Sequence, residues 1–445
     1  MLIHSKKRAV IGMGKTGLSC ARFLNDHGEK FSWFDTREVP PSLSDIGKLF
    51  PDADFYCGSL DASLLCNASE IIVSPGVSVM EPALQLATQA GVSLVGDIEL
   101  FVRATNKPII AITGSNAKST VTTLVGEMAA ACGLRAGVGG NLGTPVLDML
   151  AEDAKNDCYV LELSSFQLET TFSLQAAVAI ILNISDDHMD RYSSLQDYTL
   201  AKKKIYKNAS HVIFNRADHL TSPTSDTSTQ QSSFGLDNCE KGVGVAERHG
   251  ENWLMLNGII PLMRTADIRI AGSHNIANVA AAFAIAIAAG WDLAACANAV
   301  RQFKGLPHRC QWVAEKNGVR FYNDSKGTNI GATVAAIEGL AGNKNIVLIA
   351  GGDSKGADFS QLAPVVKQHV RQLVLIGRDA EQIAAACADV KQVRARSMVD
   401  AVQQSQQLAV DGDVVLLSPA CASFDMFDGY EDRGRQFCAA VEALV

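Results

Sequence analysis

The chain has no C-x-x-C pair, and its eleven cysteines are odd in number. Both facts argue against a disulfide framework or a zinc site, so scattered, reduced thiols are expected, as in a cytoplasmic protein. No apolar run reaches the roughly 20 residues of a bilayer-spanning helix. The longest, VAAAFAIAIAAG from Val279 to Gly290, reads as a buried helix, and no membrane insertion is expected. The first residues, MLIHSKKRAVIGMG, pass from a basic patch straight into a strand, with no apolar signal core or small-residue cleavage site, so export is not expected either. Nor is there an excess of positive charge: the net charge of −8 argues against a nucleic-acid surface, while leaving room for a local basic pocket around an anionic ligand.

What the chain has is length and a regular alternation. Its 445 residues exceed the roughly 250–300 at which a single core stops growing, so two or three domains are expected. A composition of 47% hydrophobic and 19% charged residues with 36 glycines suits a compact α/β enzyme. Short runs rich in Val, Ile and Leu alternate with helical patterns, which predicts β-α-β units and mainly parallel sheets. Three series separate. The first begins at RAVIGMGKTG, includes FSWFD and EIIVSPG, and closes near Gly96. The second opens at PIIAITGSNAKST and continues through CYVLELSS, AVAIILN and HVIFN. The third follows GLPHR, with VRFYNDS, NIVLIAGG, QLVLIG and DVVLLSPA. The polar stretch from Thr221 to Ser233 reads as an exposed loop, and no repeat of fixed period is present.

Each series carries candidate chemistry at its strand ends. Gly12, Gly14 and Gly17 form G-x-G-x-x-G after a strand, and Asp35 ends the next strand 18 residues beyond Gly17. Such glycines let backbone approach a pyrophosphate at a helix N-terminus while the acid takes ribose hydroxyls; alone, the pattern points to NAD, or to tight strand–helix packing. In AITGSNAKSTVTTL, the usual G-x-x-x-x-G-K-[ST] pattern asks for glycine at 112 and 117, where the chain has Ile112 and Ala117. The helix-start N–H groups with Lys118 could still cradle phosphates, and Ser119 could still reach Mg²⁺; a structural turn with a solvated lysine is the plainer alternative. Glu162, at the tip of a neighbouring strand, stands where a metal ligand for the same phosphates is expected. His188, in the acid-rich loop NISDDHMDRY, is a metal-ligand candidate or a backbone-bonded loop histidine. Lys202, in YTLAKKKIY, earns no role by itself. In the third series, the loops bearing Lys326, Thr328, Lys355 and Ser423 converge on one sheet edge and suggest a pocket for a small carboxylate ligand.

Taken in order, GMGKTG, TGSNAKST, GGNLGTP, LELSSFQLE, DDHMDRY, GSHNIAN, GLPHR, NDSKGTN, GGDSKGADF and SPACASFD resemble the Mur ligases over nearly the whole chain. The resemblance implies three α/β domains: a Rossmann-like N-terminal domain at 1–96 that binds UDP and no nicotinamide, a central P-loop ATPase-like parallel-sheet domain at 97–305, and a Rossmann-like C-terminal domain at 306–445 that binds an amino acid. It implies a monomeric, cytoplasmic, ATP-dependent amide ligase of peptidoglycan precursor synthesis, adding D-glutamate to UDP-N-acetylmuramoyl-L-alanine through an acyl phosphate.

By carry-over, Thr16, Asp35, Thr36, Arg37, Ser74, Gly76 and Asn141 are expected at the UDP-linked substrate. Gly114, Ser115, Asn116, Ala117, Lys118, Ser119 and Thr120, with Asn275, Asn278, Arg309 and Asp324, are expected at ATP. Two Mg²⁺ sites are implied, at Ser119 and Glu162 and at His188 and Lys202, the lysine carrying a CO₂-derived carbamate; Lys118, His188 and Lys202 are the implied catalytic residues. Lys326, Thr328, Lys355, Ser423, Phe424 and Tyr430 are expected around D-glutamate. Two features depart from the family pattern: Ala117 replaces a glycine, at a cost of roughly 1 kcal/mol if φ must be positive, and the segment from His188 to Lys202 is one residue shorter than is usual. Besides another Mur-type ligase, the sequence leaves open an NAD-dependent oxidoreductase built on GMGKTG and a nucleotide-sensing regulator.

Overall fold

The computed structural model describes residues 7–40, 43–51, 53–185, 191–224, 229–270, 272–354 and 356–444. Among the described residues, three sheets organise the chain. In the first, the strands Asp54–Cys57, Phe31–Asp35, Arg8–Ile11, Ile71–Val73 and Leu94–Val95 lie side by side in that order, all parallel. The second has nine strands, and its parallel heart runs Gln230–Phe234, His211–Asn215, Val178–Ile181, Ile109–Thr113, Cys158–Glu162, Ala136–Gly140. The third begins with Gln311–Lys316, antiparallel to Val319–Asn323, and continues in parallel through Val414–Leu417, Ile346–Ala350, Val370–Leu375 and Gln392–Arg394.

Strands such as IIAIT, CYVLE, VAII, IVLIA and VVLL are buried at every position, as expected where helices cover both faces of a parallel sheet. The apolar run at Val279 lies in the buried helix Ser273–Ala288. Among the described residues no helix is long and apolar enough to cross a membrane. All eleven cysteines are free.

The chain forms two compact units, residues 1–246, 254–262 and 280–297 in one and 247–253, 263–279 and 298–445 in the other. In the first unit a continuous core joins Trp33 and Phe101 to Tyr159, Leu161 and Tyr198; the Phe101 and Tyr159 rings meet edge to face at 4.8 Å. In the second unit the third sheet is covered on both sides, by the clusters around Leu348 and Leu416 and around Ile349 and Phe437. One expectation needs correction. The polar stretch 221–233 is not wholly loop, because Gln230–Phe234 pairs in parallel with His211–Asn215; this strand's backbone bonds, not an apolar run, define it.

Asp97 opens the helix Asp97–Ala104 and is only 2% exposed. Its Oδ1 has no hydrogen-bond partner, and burial raises its pKa from 3.8 to about 6. The folded state therefore binds this proton more tightly than the unfolded chain. The ionised form's penalty is absent below pH 3.8, grows as pH rises towards 6, and is complete above it. Asp97→Asn should accordingly gain on the wild type by up to about 3 kcal/mol between pH 4 and pH 8, read from denaturant melts at both pH values. A gap that does not change with pH would show that Asp97 does not titrate in that window.

Candidate functional site

The strand Ile109–Thr113 runs into Gly114, and the helix Lys118–Ala131 starts four residues later. Ala117 is the helix N-cap at φ 65° and ψ 0°, in the left-handed region. The loop thus takes the bend that glycine usually supplies, with alanine bearing the cost of its Cβ. Ala117→Gly should raise stability by about 0.5–1 kcal/mol, relief of that clash exceeding the added entropy of the unfolded chain. A lower melting temperature would contradict this.

What holds the loop is Asn183, two residues past the strand Val178–Ile181. Its Oδ1 accepts from Asn116 N at 2.8 Å, its Nδ2 donates to Asn116 O at 3.2 Å, and its carbonyl accepts from Ser115 N at 2.9 Å. The Ser115 hydroxyl donates to Ser185 O and accepts from Ser185 N. Two lysines converge on one acceptor. Lys118 Nζ donates to Gly114 O at 2.8 Å and to Ser115 O at 2.9 Å; Lys202 Nζ, 1% exposed, donates to Gly114 O at 2.9 Å and lies 4.5 Å from the Tyr198 ring centre. Ser119 and Thr120 fill the helix's first turn and are half-buried.

Glu162 ends its strand beside this loop. Its Oε1 accepts from Asn141 Nδ2 at 2.8 Å, while its buried Oε2 has no hydrogen-bond partner. A buried carboxylate oxygen without a donor is what a bound cation would satisfy. Among the described residues no three His, Cys, Asp or Glu gather around one point, so a cation here would draw further oxygens from a hydroxyl, a phosphate or water. His188 lies outside the described residues.

At the C-terminal end of the first sheet is a cavity of about 560 Å³, lined by Gly12, Gly14, Thr16, Asp35, Thr36, Arg37, Ser74, Gly76 and Asn141 among others. Gly17 is required where it stands, because a Cβ there would come within 1.8 Å of Gly12 O. Asp35 is saturated with donors: Met13 N at 2.7 Å, Arg37 N at 2.9 Å, and the Arg37 side chain at 2.8 and 2.7 Å. The Arg37 hydrogen bonds, outweighing burial and aided by Met13 N–H, lower its pKa from 3.8 to about 2. The Ser74 Oγ is buried without a partner.

The second unit gathers a separate set. Asn278 Nδ2 donates to Asn275 Oδ1 at 3.0 Å. Asp324 accepts from Cys310 N at 3.1 Å and from Ser418 Oγ at 2.7 Å, and burial raises its pKa from 3.8 to about 6. Arg309 is exposed next to Cys310, between two left-handed residues, His308 and Cys310. Lys326 Nζ lies 5.3 Å from the Tyr430 ring centre, and burial, with Arg309 nearby, lowers its pKa. Thr328 N bonds Lys326 O, so the two share one tight turn. Ser423 is buried, its carbonyl accepting from Met426 N and Phe427 N. Phe424 is 74% exposed. Lys355 lies outside the described residues.

The sequence reading passed over Asn183, Ser418 and Arg433. Arg433, 1% exposed, binds Ser325 Oγ and O and the carbonyls of Cys421 and Ala422. In the sequence it looks like one more charge in YEDRGRQ; no local signal marks it.

A strand–loop–helix cradle beside an acid with one unpartnered oxygen, together with a glycine-turned cavity at the end of a separate parallel sheet, is the arrangement of nucleotide-binding proteins of the parallel α/β class. Three family models match the chain: Mur ligase MurD-like N-terminal domain at 6–96, Mur ligase middle domain at 112–286, and Mur ligase glutamate ligase domain at 308–421. A UDP-N-acetylmuramoylalanine–D-glutamate ligase of Pseudomonas savastanoi pv. phaseolicola is 52% identical, the match covering 100% of this chain and 99% of that protein. One of the same name from Hahella chejuensis is 49% identical over 100% of both. The chain belongs to the Mur ligase family. Among solved structures, MurF from Acinetobacter baumannii matches with a TM-score of 0.58 at 18% identity, covering 97% of this chain and 93% of that one. The UDP-N-acetylmuramate-alanine ligase MurC from Thermotoga maritima matches with a TM-score of 0.56 at 19% identity, covering 99% and 100%. These two show the shared three-domain fold.

Proposed function

We propose that this chain is an ATP-dependent ligase that joins D-glutamate to UDP-N-acetylmuramoyl-L-alanine in peptidoglycan precursor synthesis. The observation that carries this reading is the full-length similarity to ligases of that name. The glycine triplet then serves a uridine nucleotide and not a nicotinamide, with Thr16, Asp35, Thr36, Arg37, Ser74, Gly76 and Asn141 around it. Domain limits at 96/97 and 305/306 fit this division of labour, and the enzyme works as a monomer in the cytoplasm.

In the reaction, an oxygen of the L-alanine carboxylate attacks the γ-phosphorus of ATP, giving an acyl phosphate and ADP. The D-glutamate amine then attacks the acyl carbon and expels phosphate, leaving the amide. Lys118 and the N–H groups from Gly114 to Thr120 hold the phosphates and offset the charge that develops during transfer. Asn275, Asn278, Arg309 and Asp324 serve the rest of the nucleotide, and Lys326, Thr328, Lys355, Ser423, Phe424 and Tyr430 serve D-glutamate. Ser119 and Glu162 would hold one Mg²⁺, and His188 and a carbamylated Lys202 a second; bound there, the metals would supply positive charge to the transferring phosphoryl group. A carbamylated Nζ keeps one N–H, so the bond from Lys202 to Gly114 O is compatible with it. No nucleophilic side chain is required.

The test is phosphate release from ATP with UDP-N-acetylmuramoyl-L-alanine present and each amino acid tried in turn. Release dependent on D-glutamate is expected. Release with another amino acid only would move the chain to another Mur-type specificity, and nucleotide binding without turnover would favour a regulator.

A further inference from the structure

The loop that follows the strand Ile71–Val73 has two sides. Ser74, Pro75, Gly76 and Val77 line the 560 Å³ cavity, while Ser78 and Val79 line a separate hollow of about 480 Å³ behind it. Arg191 stands on that far side. Its Nη1 donates to Pro75 O at 3.0 Å and its Nη2 to Val77 O at 3.1 Å. Its Cζ lies 4.1 Å from the centre of the Phe166 ring, and Nη2 is 3.5 Å from Glu169 Oε2, both side chains of that ion pair being 15% exposed.

Phe166 and Glu169 belong to the short helix Ser165–Glu169, which also carries Gln167, a residue of the cavity wall. One guanidinium therefore joins two walls of the same cavity: the loop from the first sheet, through its carbonyls, and the helix from the second, through a ring face and a carboxylate. The far part of the loop is held by Gln85 Nε2, which donates to Val79 O at 2.7 Å, and by Glu81 N, which bonds Ser78 O; the near part, Ser74 to Val77, has fewer bonds. Ser74 N bonds Ile11 O and Val77 N bonds Ser74 O, leaving the Pro75 and Val77 carbonyls to Arg191. A guanidinium gives one N–H to each carbonyl from a rigid fork while its plane lies on the ring; an ammonium can bond two carbonyls but has no plane to stack and no fixed spacing of its donors.

We propose that Arg191 is a positioning residue for the UDP-linked substrate, setting the Ser74–Val77 loop against the helix that bears Gln167 so that the cavity keeps its width. This rests on the reading of that cavity as the uridine-nucleotide site. Arg191 itself touches no reacting atom, so its loss acts on substrate binding and spares the phosphoryl-transfer step.

The experiment compares the full-length wild type with Arg191→Ala, Arg191→Lys and Phe166→Leu in steady-state assays, varying each of the three substrates, with UDP binding measured alongside. Arg191→Ala is expected to raise KM for the UDP-linked substrate by about 10- to 100-fold, with kcat and the KM values for ATP and D-glutamate within about threefold of wild type. Arg191→Lys keeps the charge beside Glu169 but not the rigid fork of donors or the plane that stacks on Phe166, so its KM should stay raised by at least about fivefold. Phe166→Leu, which leaves both carbonyl bonds of Arg191 in place but removes the ring face along with its stack on Tyr192, should give a smaller rise. A wild-type KM in Arg191→Lys would overturn the proposal, as would a fall in every parameter together with the melting temperature, the mark of a merely structural residue. Should Arg191→Ala not fold, Arg191→Lys decides by itself. Wild-type protein that does not bind UDP would instead remove the reading of the cavity and leave Arg191 without a substrate to position.

Discussion

Lys118→Ala is expected to lose ATP-dependent phosphate release by at least about a thousandfold while keeping its fold. Lys118 Nζ rests on the carbonyls of Gly114 and Ser115, and the residue opens a helix whose apolar anchors, Val121, Leu124 and Val125, lie further along. Removing the side chain takes away the charge proposed to meet the phosphates and disturbs no core packing, so the melt should move by no more than about 1 kcal/mol of stability. Near-normal phosphate release in this variant would sink the phosphate cradle as the catalytic site. A collapse of the melting temperature would show that the loop depends on Lys118 more than these bonds imply.

The second large effect concerns Lys202, whose buried head group shares Gly114 O with Lys118. A protonated amine beside Mg²⁺ would repel it, whereas a carbamate offers the oxygen donors that Mg²⁺ prefers. The two forms differ in the sign of their charge. Lys202→Ala should lose activity by about a hundredfold or more, and a small carboxylic acid in the buffer should restore part of it by placing oxygens in the vacated space. Lys202→Met, which fills the same volume without a donor, should be equally inactive and should hold its melting temperature better. Wild-type protein equilibrated with ¹³C-bicarbonate should show a carbamate carbon resonance that Lys202→Met lacks. Full activity in Lys202→Ala would end the idea; inactivity without chemical rescue or a carbamate signal would replace it with a free amine that pairs with phosphate.

The strands of the three sheets were readable because, covered on both faces, they appear as unbroken apolar runs such as NIVLIAGG and DVVLLSPA. The strand Gln230–Phe234 was missed because QQSSF carries no such run and is defined by its pairing with a neighbour. The candidate site divides in the same way. Residues at strand ends, such as Asp35 and Glu162, or just past one, such as Lys118, could be picked out because a parallel sheet delivers its strand ends to one edge. Arg191, Arg433 and Asn183 could not be assigned roles, since a polar side chain gains meaning from partners far along the chain: Pro75 for Arg191, Ser325 for Arg433, Asn116 for Asn183. Ala117 shows the opposite case, where a residue that breaks the written pattern nevertheless adopts the backbone angles the pattern was written for.

The Asn183 clamp bears on how far such a loop can travel between proteins. Its three bonds to Ser115 and Asn116 make the candidate phosphate loop the joint property of two strands lying next to each other in the sheet. A transplant of residues 111–124 into a foreign scaffold would carry the lysine and the helix start but not Asn183, which holds the bend, and with alanine at 117 the left-handed position itself would have no glycine to ease it. The smallest portable module is therefore the strand pair with both of its ends, and a substitution at 183 that looks remote from the lysine in sequence strikes the same part.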